Sequence, residues 1–189
     1  MTIERIDARR HRQALLDAAS AVFLEHGITA PLDLVVERAG VGRATLYRHF
    51  PDRVILVLAL VDRSIDRLEM LVAEIPQDGA TFGVLLNHLA DILVKDPSLA
   101  DFWRVMPSDA PERKRQLERF CAMCARPIRN AIDAGTLRSD FQPADMLLIG
   151  GMLGAVAREP DAGKRHLMAA RQLHFLCRGL QPADSFARS

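Results

Sequence analysis

Apolar residues between Arg12 and Phe23 fall at Leu15, Ala18, Ala19, Val22 and Phe23, the i, i+3, i+4, i+7, i+8 stripe of an amphipathic helix. Gly27 then stops the pattern, as a helix-ending glycine does. The next segment, Ala30 to Ala39, opens with Pro31, suited to a first helical turn, and ends at Gly40. After the link Gly40-Val41-Gly42 comes a short run, Arg43 to Phe50, closed by Pro51, which disfavours helical geometry at the residue before it. Asp52 is a good N-cap for a longer helix reaching about Glu74. Further helices are predicted near Phe82 to Lys95, Leu99 to Met106, Glu112 to Ala134, Pro143 to Arg158 and Ala162 to Leu180, with Pro127 expected to kink or split the third of these. No stretch alternates with period two, so the chain reads as all-α, with Pro182 to Ser189 as a frayed end.

Two short helices joined by a tight glycine-containing turn meet the physical requirement of a helix-turn-helix, whose second helix enters the major groove of DNA. Val35, Ala39, Val41, Leu46 and Phe50 can share one small core, which leaves Arg43, Ala44, Tyr47 and Arg48 on the outer face. That face suits DNA: Arg can pair with guanine through two hydrogen bonds, and Ala permits close approach or touches a thymine methyl.

The stretch from Gln13 to Leu58 resembles the DNA-binding region of TetR-family regulators. The most specific part is Ala39-Gly40-Val41, then Thr45-Leu46-Tyr47, then His49-Phe50, with Arg53 three positions on. Gly42 stands where a serine often caps the recognition helix, Ala44 replaces a frequent glycine, and Pro51-Asp52-Arg53 replaces a Ser-Lys-type start to the next helix. These departures bear on operator sequence rather than on binding itself, since glycine is an acceptable N-cap and Asp52 can serve as one. The resemblance implies that Thr45, Tyr47, His49 and Arg53 hold phosphates, while Arg43 and Ala44, with Arg48 beside them, meet bases. It also raises the expectation that Arg5 and Arg9, from the basic cluster Arg5, Arg9, Arg10, His11 and Arg12, form an arm reaching an adjacent minor groove.

Charge alone would not have pointed to DNA. The chain of 189 residues has a net charge of +1, and residues 1 to 53 hold eight Arg against seven acidic residues, so the argument rests on where charges lie. The charged opening MTIERIDARRHR is unlike a signal peptide and no apolar run is long enough to span a bilayer, so a cytoplasmic protein with no membrane partner is expected. Three cysteines do not make a disulfide framework. Cys121 and Cys124 form a CxxC without a second ligand pair and inside a helical pattern, so core packing is the expected role. Neither metal, cofactor nor enzyme chemistry is expected: there is no Ser-His-Asp order, no phosphate-binding glycine loop, and His88 with Asp91 reads as a surface pair.

The expected organisation is an N-terminal three-helix DNA-binding domain over residues 1 to 53, followed by a helical effector-binding and dimerisation domain over 54 to 189. The resemblance implies a homodimer on a palindromic operator, with the last two long helices paired across subunits. Gly150, Gly151 and Gly154 would permit close approach there, and Met146, Leu147 and Leu153 would supply apolar area. An unknown, mostly apolar effector is expected between the helix starting at Asp52 and the helices at 82 to 134, lined by Phe82, Leu86, Phe102, Trp103, Met106, Phe120 and Met123. A repressor released by that ligand is one reading. The alternative is a constitutive DNA-binding organiser whose C-terminal half only dimerises or binds protein partners.

Overall fold

A computed structural model describes residues 2–75, 78–95, 101, 106, 109–159 and 161–181, with the side chains of 2–5, 157 and 158 left aside. Among these the secondary structure is entirely helical: α1 (Thr2–His26), α2 (Leu32–Ala39), α3 (Arg43–His49), α4 (Arg53–Glu74), α5 (Thr81–Lys95), α6 (Pro111–Asp133), α7 (Asp145–Gly154), a 3-10 turn (Ala155–Arg158) and α8 (Ala162–Gly179). No helix among the described residues is long and apolar enough to cross a membrane.

Two helix starts and one helix interior differ from the sequence pattern. Helix α1 begins at Thr2, so the basic cluster is helical rather than an extended arm, in keeping with a stretch free of Gly and Pro. Pro127 lies buried inside α6, which runs unbroken from Pro111 to Asp133. The expected split does not occur, because one missing N–H leaves the hydrogen bonds of the neighbouring turns in place. The helix expected from Pro143 starts at Asp145, whose carboxylate accepts from the Gln142 N–H at 2.8 Å. The helix predicted over Leu99 to Met106 lies outside the described residues apart from Asp101 and Met106.

Among the described residues the main hydrophobic core runs from Leu15 on α1 to Leu173 on α8, and Val94, Val156 and Ala169 form a small cluster beside it. The α4 helix is its shared wall: Leu56, Leu60, Val61, Ile65 and Leu68 are all buried, and α1, α5 and α6 pack against it. Helix α5 sits centrally in the second half, contacted by α4, α6, α7 and α8 through Leu85, Leu86, Leu89 and Leu93. Arg63 on α4 ties the first half to this frame. Its guanidinium donates to Asp17 Oδ1 at 2.6 Å and to Ser20 Oγ at 3.1 Å, both on α1.

Candidate nucleic-acid interface

The turn between α2 and α3 is fixed by backbone geometry. Gly40 adopts a left-handed conformation, φ 64°, which any residue with a Cβ reaches only at a cost. Its N–H bonds to Glu37 O at 3.2 Å and the Val41 N–H bonds to Val36 O at 3.4 Å, the paired closure of a helix C-terminus. Gly42 is then the N-cap of α3, with its carbonyl accepting from Thr45 and Leu46 N–H groups. The expected internal packing set is in place: Val35, Leu46 and Phe50 are buried, while Ala39 and Val41 pack half-buried against them.

Burying Leu46 and Phe50 turns the rest of α3 outward. Arg43, Ala44, Tyr47 and Arg48 are exposed, Tyr47 at 45%, and Thr45 and His49 are half-buried. An exposed tyrosine between two arginines on a helix of 7 residues has no core to serve. Arg43 is nevertheless engaged. Its Nε lies 2.8 Å from Asp33 Oδ1 and its Nη2 donates to Asp33 Oδ2 at 2.9 Å, a two-point fork between α2 and α3.

Arg53, expected to hold a phosphate, is engaged within the protomer. Its guanidinium donates to Ile28 O and Ala30 O, each at 2.6 Å, and lies over the Phe23 ring at 5.8 Å. It therefore braces the loop between α1 and α2 by donating to two of its carbonyls. Burial pulls its pKa below the ordinary arginine value. Arg9 is exposed on α1, and the Arg5 side chain lies outside the described residues.

Arg12 belongs to the same surface although only its cluster, not the residue, was legible as a candidate. Its guanidinium sits 5.2 Å from the Phe50 ring centroid, which places it beside the end of α3. His49 thus has several cations around it. Its pKa is lowered, first by burial and then by Arg48, Arg12 and His11, and its Nε2 is buried without a hydrogen-bond partner among the described residues. The signal for Arg12 was available only through the fold, since nothing in the spacing of residues 12 and 50 announces the contact.

The residues expected to line an effector pocket separate into two groups. Phe82, Leu86, Met106 and Phe120 are buried in the core, with Phe82 packed edge-on against Phe141 at 5.6 Å between centroids. Met123 instead lines a cleft of about 410 Å³ between α4 and α6, together with Glu69, Val72, Ala73, Arg119, Ala122 and Arg126. Phe102 and Trp103 lie outside the described residues. Cys124 is fully buried, which pushes its thiol pKa well above the ordinary value, and Cys121 is half-buried and raised for the same reason.

The expected dimer residues on α7 also divide. Met146, Leu153 and Gly154 are buried in the protomer's own core, and Leu147 packs half-buried against it, so they are not the free face. At about 100° per residue the opposite side of α7 carries Leu148, Gly151 and Met152. Leu148 is 63% exposed, and α8 adds Leu167 at 72% and Phe175 at 58%. A Cβ at Gly150 or Gly151 would meet nothing within 4 Å, so packing inside the protomer does not require glycine at either.

Comparison with known proteins agrees with this geometry. Residues 15–60 match the family model described as bacterial regulatory proteins, tetR family. The HTH-type transcriptional activator FasR of Mycolicibacterium smegmatis is 40% identical over 65 residues, 34% of this chain and 30% of its own length. The HTH-type transcriptional repressor LfrR of the same organism is 44% identical over 59 residues, 31% of each chain. The matched stretch thus spans under a third of these relatives, and beyond it the likeness is structural. The crystal structure of a TetR transcriptional regulator from Streptomyces coelicolor superposes with a TM-score of 0.63 at 29% identity, covering 91% of this chain and 99% of that one. With the motif, the helical frame and these relatives in agreement, residues 15–60 are similar to the DNA-binding region of the tetR family of bacterial regulatory proteins, and the helical frame as a whole resembles that of a solved TetR regulator.

Proposed function

We propose that this protein is a cytoplasmic, homodimeric regulator that binds a palindromic operator and leaves it when a small apolar ligand binds. The observation that carries the DNA reading is the outward face of α3, where Arg43, Ala44, Tyr47 and Arg48 stand exposed above a buried Leu46 and Phe50. Arg43 and Ala44 meet base edges, with Arg48 beside them, while Thr45, Tyr47 and His49 contact phosphates, and Arg12 adds charge at the same end. The apolar side of α7 and α8, at Leu148, Met152, Leu167 and Phe175, pairs with its copy and sets the spacing of the two reading heads.

Effector release follows from the position of α4, which starts at the reading head and forms one wall of the cleft lined by Met123. A ligand that shifts α4 against α6 changes the distance between paired recognition helices, and contacts are then lost at one half-site. The relatives' names include both an activator and a repressor, and repression is the simpler outcome of operator occupancy.

Titration of a labelled duplex at several salt concentrations tests the DNA contact. Wild-type protein should bind with an affinity that falls steeply with salt, and Tyr47→Ala should weaken binding to all sequences about equally. Absence of binding at low salt would overturn the reading. Ligand release is tested by linkage, because a compound that weakens DNA binding must itself bind the DNA complex less tightly by the same factor.

A further inference from the structure

The pairing of Arg43 with Asp33 carries an inference about selectivity, which rests on the DNA-binding reading above. Asp33 is in the first turn of α2 and Arg43 is the first residue of α3. Their side chains are 60% and 66% exposed, and among the described residues each has the other as its side-chain partner. Exposed ion pairs contribute little to stability, so the fold does not account for this fork. Its geometry is informative instead. The Nε and Nη2 edge that faces the carboxylate presents two parallel donors, the same edge that guanine O6 and N7 would take.

We propose that Asp33 is a specificity-determining residue that competes with DNA for the Arg43 guanidinium. On a sequence lacking guanine at the contacted position, Arg43 stays with Asp33, its charge is neutralised, and it makes no phosphate contact. Guanine displaces the carboxylate because it offers two acceptors in line, whereas a lone phosphate oxygen or a thymine O4 offers a poorer match. Asp33 thus lowers affinity for the wrong sequences more than for the right one.

The test compares affinity for a site selected by the wild-type protein with affinity for a mixed-sequence duplex of equal length. Asp33→Asn should raise mixed-sequence affinity about fivefold or more and steepen its salt dependence by about one counterion. Affinity for the selected site should change about twofold or less, so the ratio of the two falls, and preference for guanine at one position should relax. Glu37→Gln, which removes an exposed acid on the same helix that is not paired with Arg43, should move both affinities together and leave the ratio unchanged. In an Arg43→Ala background, Asp33→Asn should also leave the ratio unchanged. A ratio that Asp33→Asn does not lower, or lowers equally without Arg43, overturns the proposal while the DNA-binding reading stands. A wild-type protein that binds no duplex overturns both.

Discussion

Arg119 Nε donates to Glu69 Oε1 at 2.8 Å, and this bond joins α6 to the helix that carries the reading head. The same guanidinium reaches Asp66 and lies 3.5 Å from Asp62, while Gln116 donates to Asp62 at 2.5 Å. Asp62, Asp66 and Glu69 are spaced i, i+4, i+7, so one residue of α6 spans about two turns of α4. These hydrogen bonds, Glu69 first and then Asp66, raise the Arg119 pKa.

Arg119→Ala should lower stability by roughly 1–2 kcal/mol, since it leaves three carboxylates close together on one helix without their cation. The loss should shrink at high salt, which screens the remaining repulsion. Thermal unfolding of both proteins at low and high salt checks this. Equal melting temperatures at low salt would mean that the clasp does not hold α4.

The start of α4 depends on Asp52, whose Oδ1 accepts from the Ile55 N–H at 2.8 Å. Asp52→Ala should cost about 1 kcal/mol through loss of that cap. Denaturant unfolding measures it, and Asp52→Ser should recover much of the difference because serine can cap in the same way.

His49 gives the reading head a pH dependence whose sign follows from its lowered pKa. Above the ordinary value of 6.5 the ring is neutral in both folded and unfolded chains, and its contribution does not change. As the pH falls below 6.5, the unfolded chain takes up a proton before the folded one does, so stability declines until the folded pKa is passed. His49→Gln should therefore flatten the decline between pH 7 and the acid side of that window. Unfolding measured across this range, with the same slope in both proteins, would contradict the assignment.

The exposed apolar side of α7 and α8 should hold the dimer. Leu148→Glu combined with Phe175→Glu should give monomers with weaker affinity for a two-half-site duplex, because one half-site loses the linked contribution of the other. Sedimentation read alongside circular dichroism separates dissociation from unfolding. A folded double variant that still sediments as a dimer would place the interface elsewhere.

Local signals made the reading head legible. Pro31, Gly40, Gly42 and Pro51 punctuate α2 and α3, and Asp52 caps α4 as its chemistry suggests. Direction around a helix was harder to read. Nearly every residue of α7 is apolar or glycine, so periodicity could not tell Met146 and Leu153, which the protomer buries, from Leu148 and Met152, which it exposes. Long-range partners were not legible at all. Arg53 looked like a phosphate ligand by position, but two carbonyls 23 and 25 residues away hold it. Asp33 carried no signal in α2, and only folding brought its carboxylate against Arg43, 10 residues on across the turn.

Selection of binding sites from random duplex DNA, followed by affinity measurement with Arg43→Ala and Tyr47→Ala, tests the central claim most directly. Wild-type protein should enrich a symmetric site with half-sites about one helical turn apart or a multiple of it. Tyr47→Ala should keep the same preference at lower affinity, while Arg43→Ala should relax one position in each half-site by ~1–3 kcal/mol. Enrichment of no symmetric site, or of a site whose preferences neither substitution alters, would contradict recognition through α3.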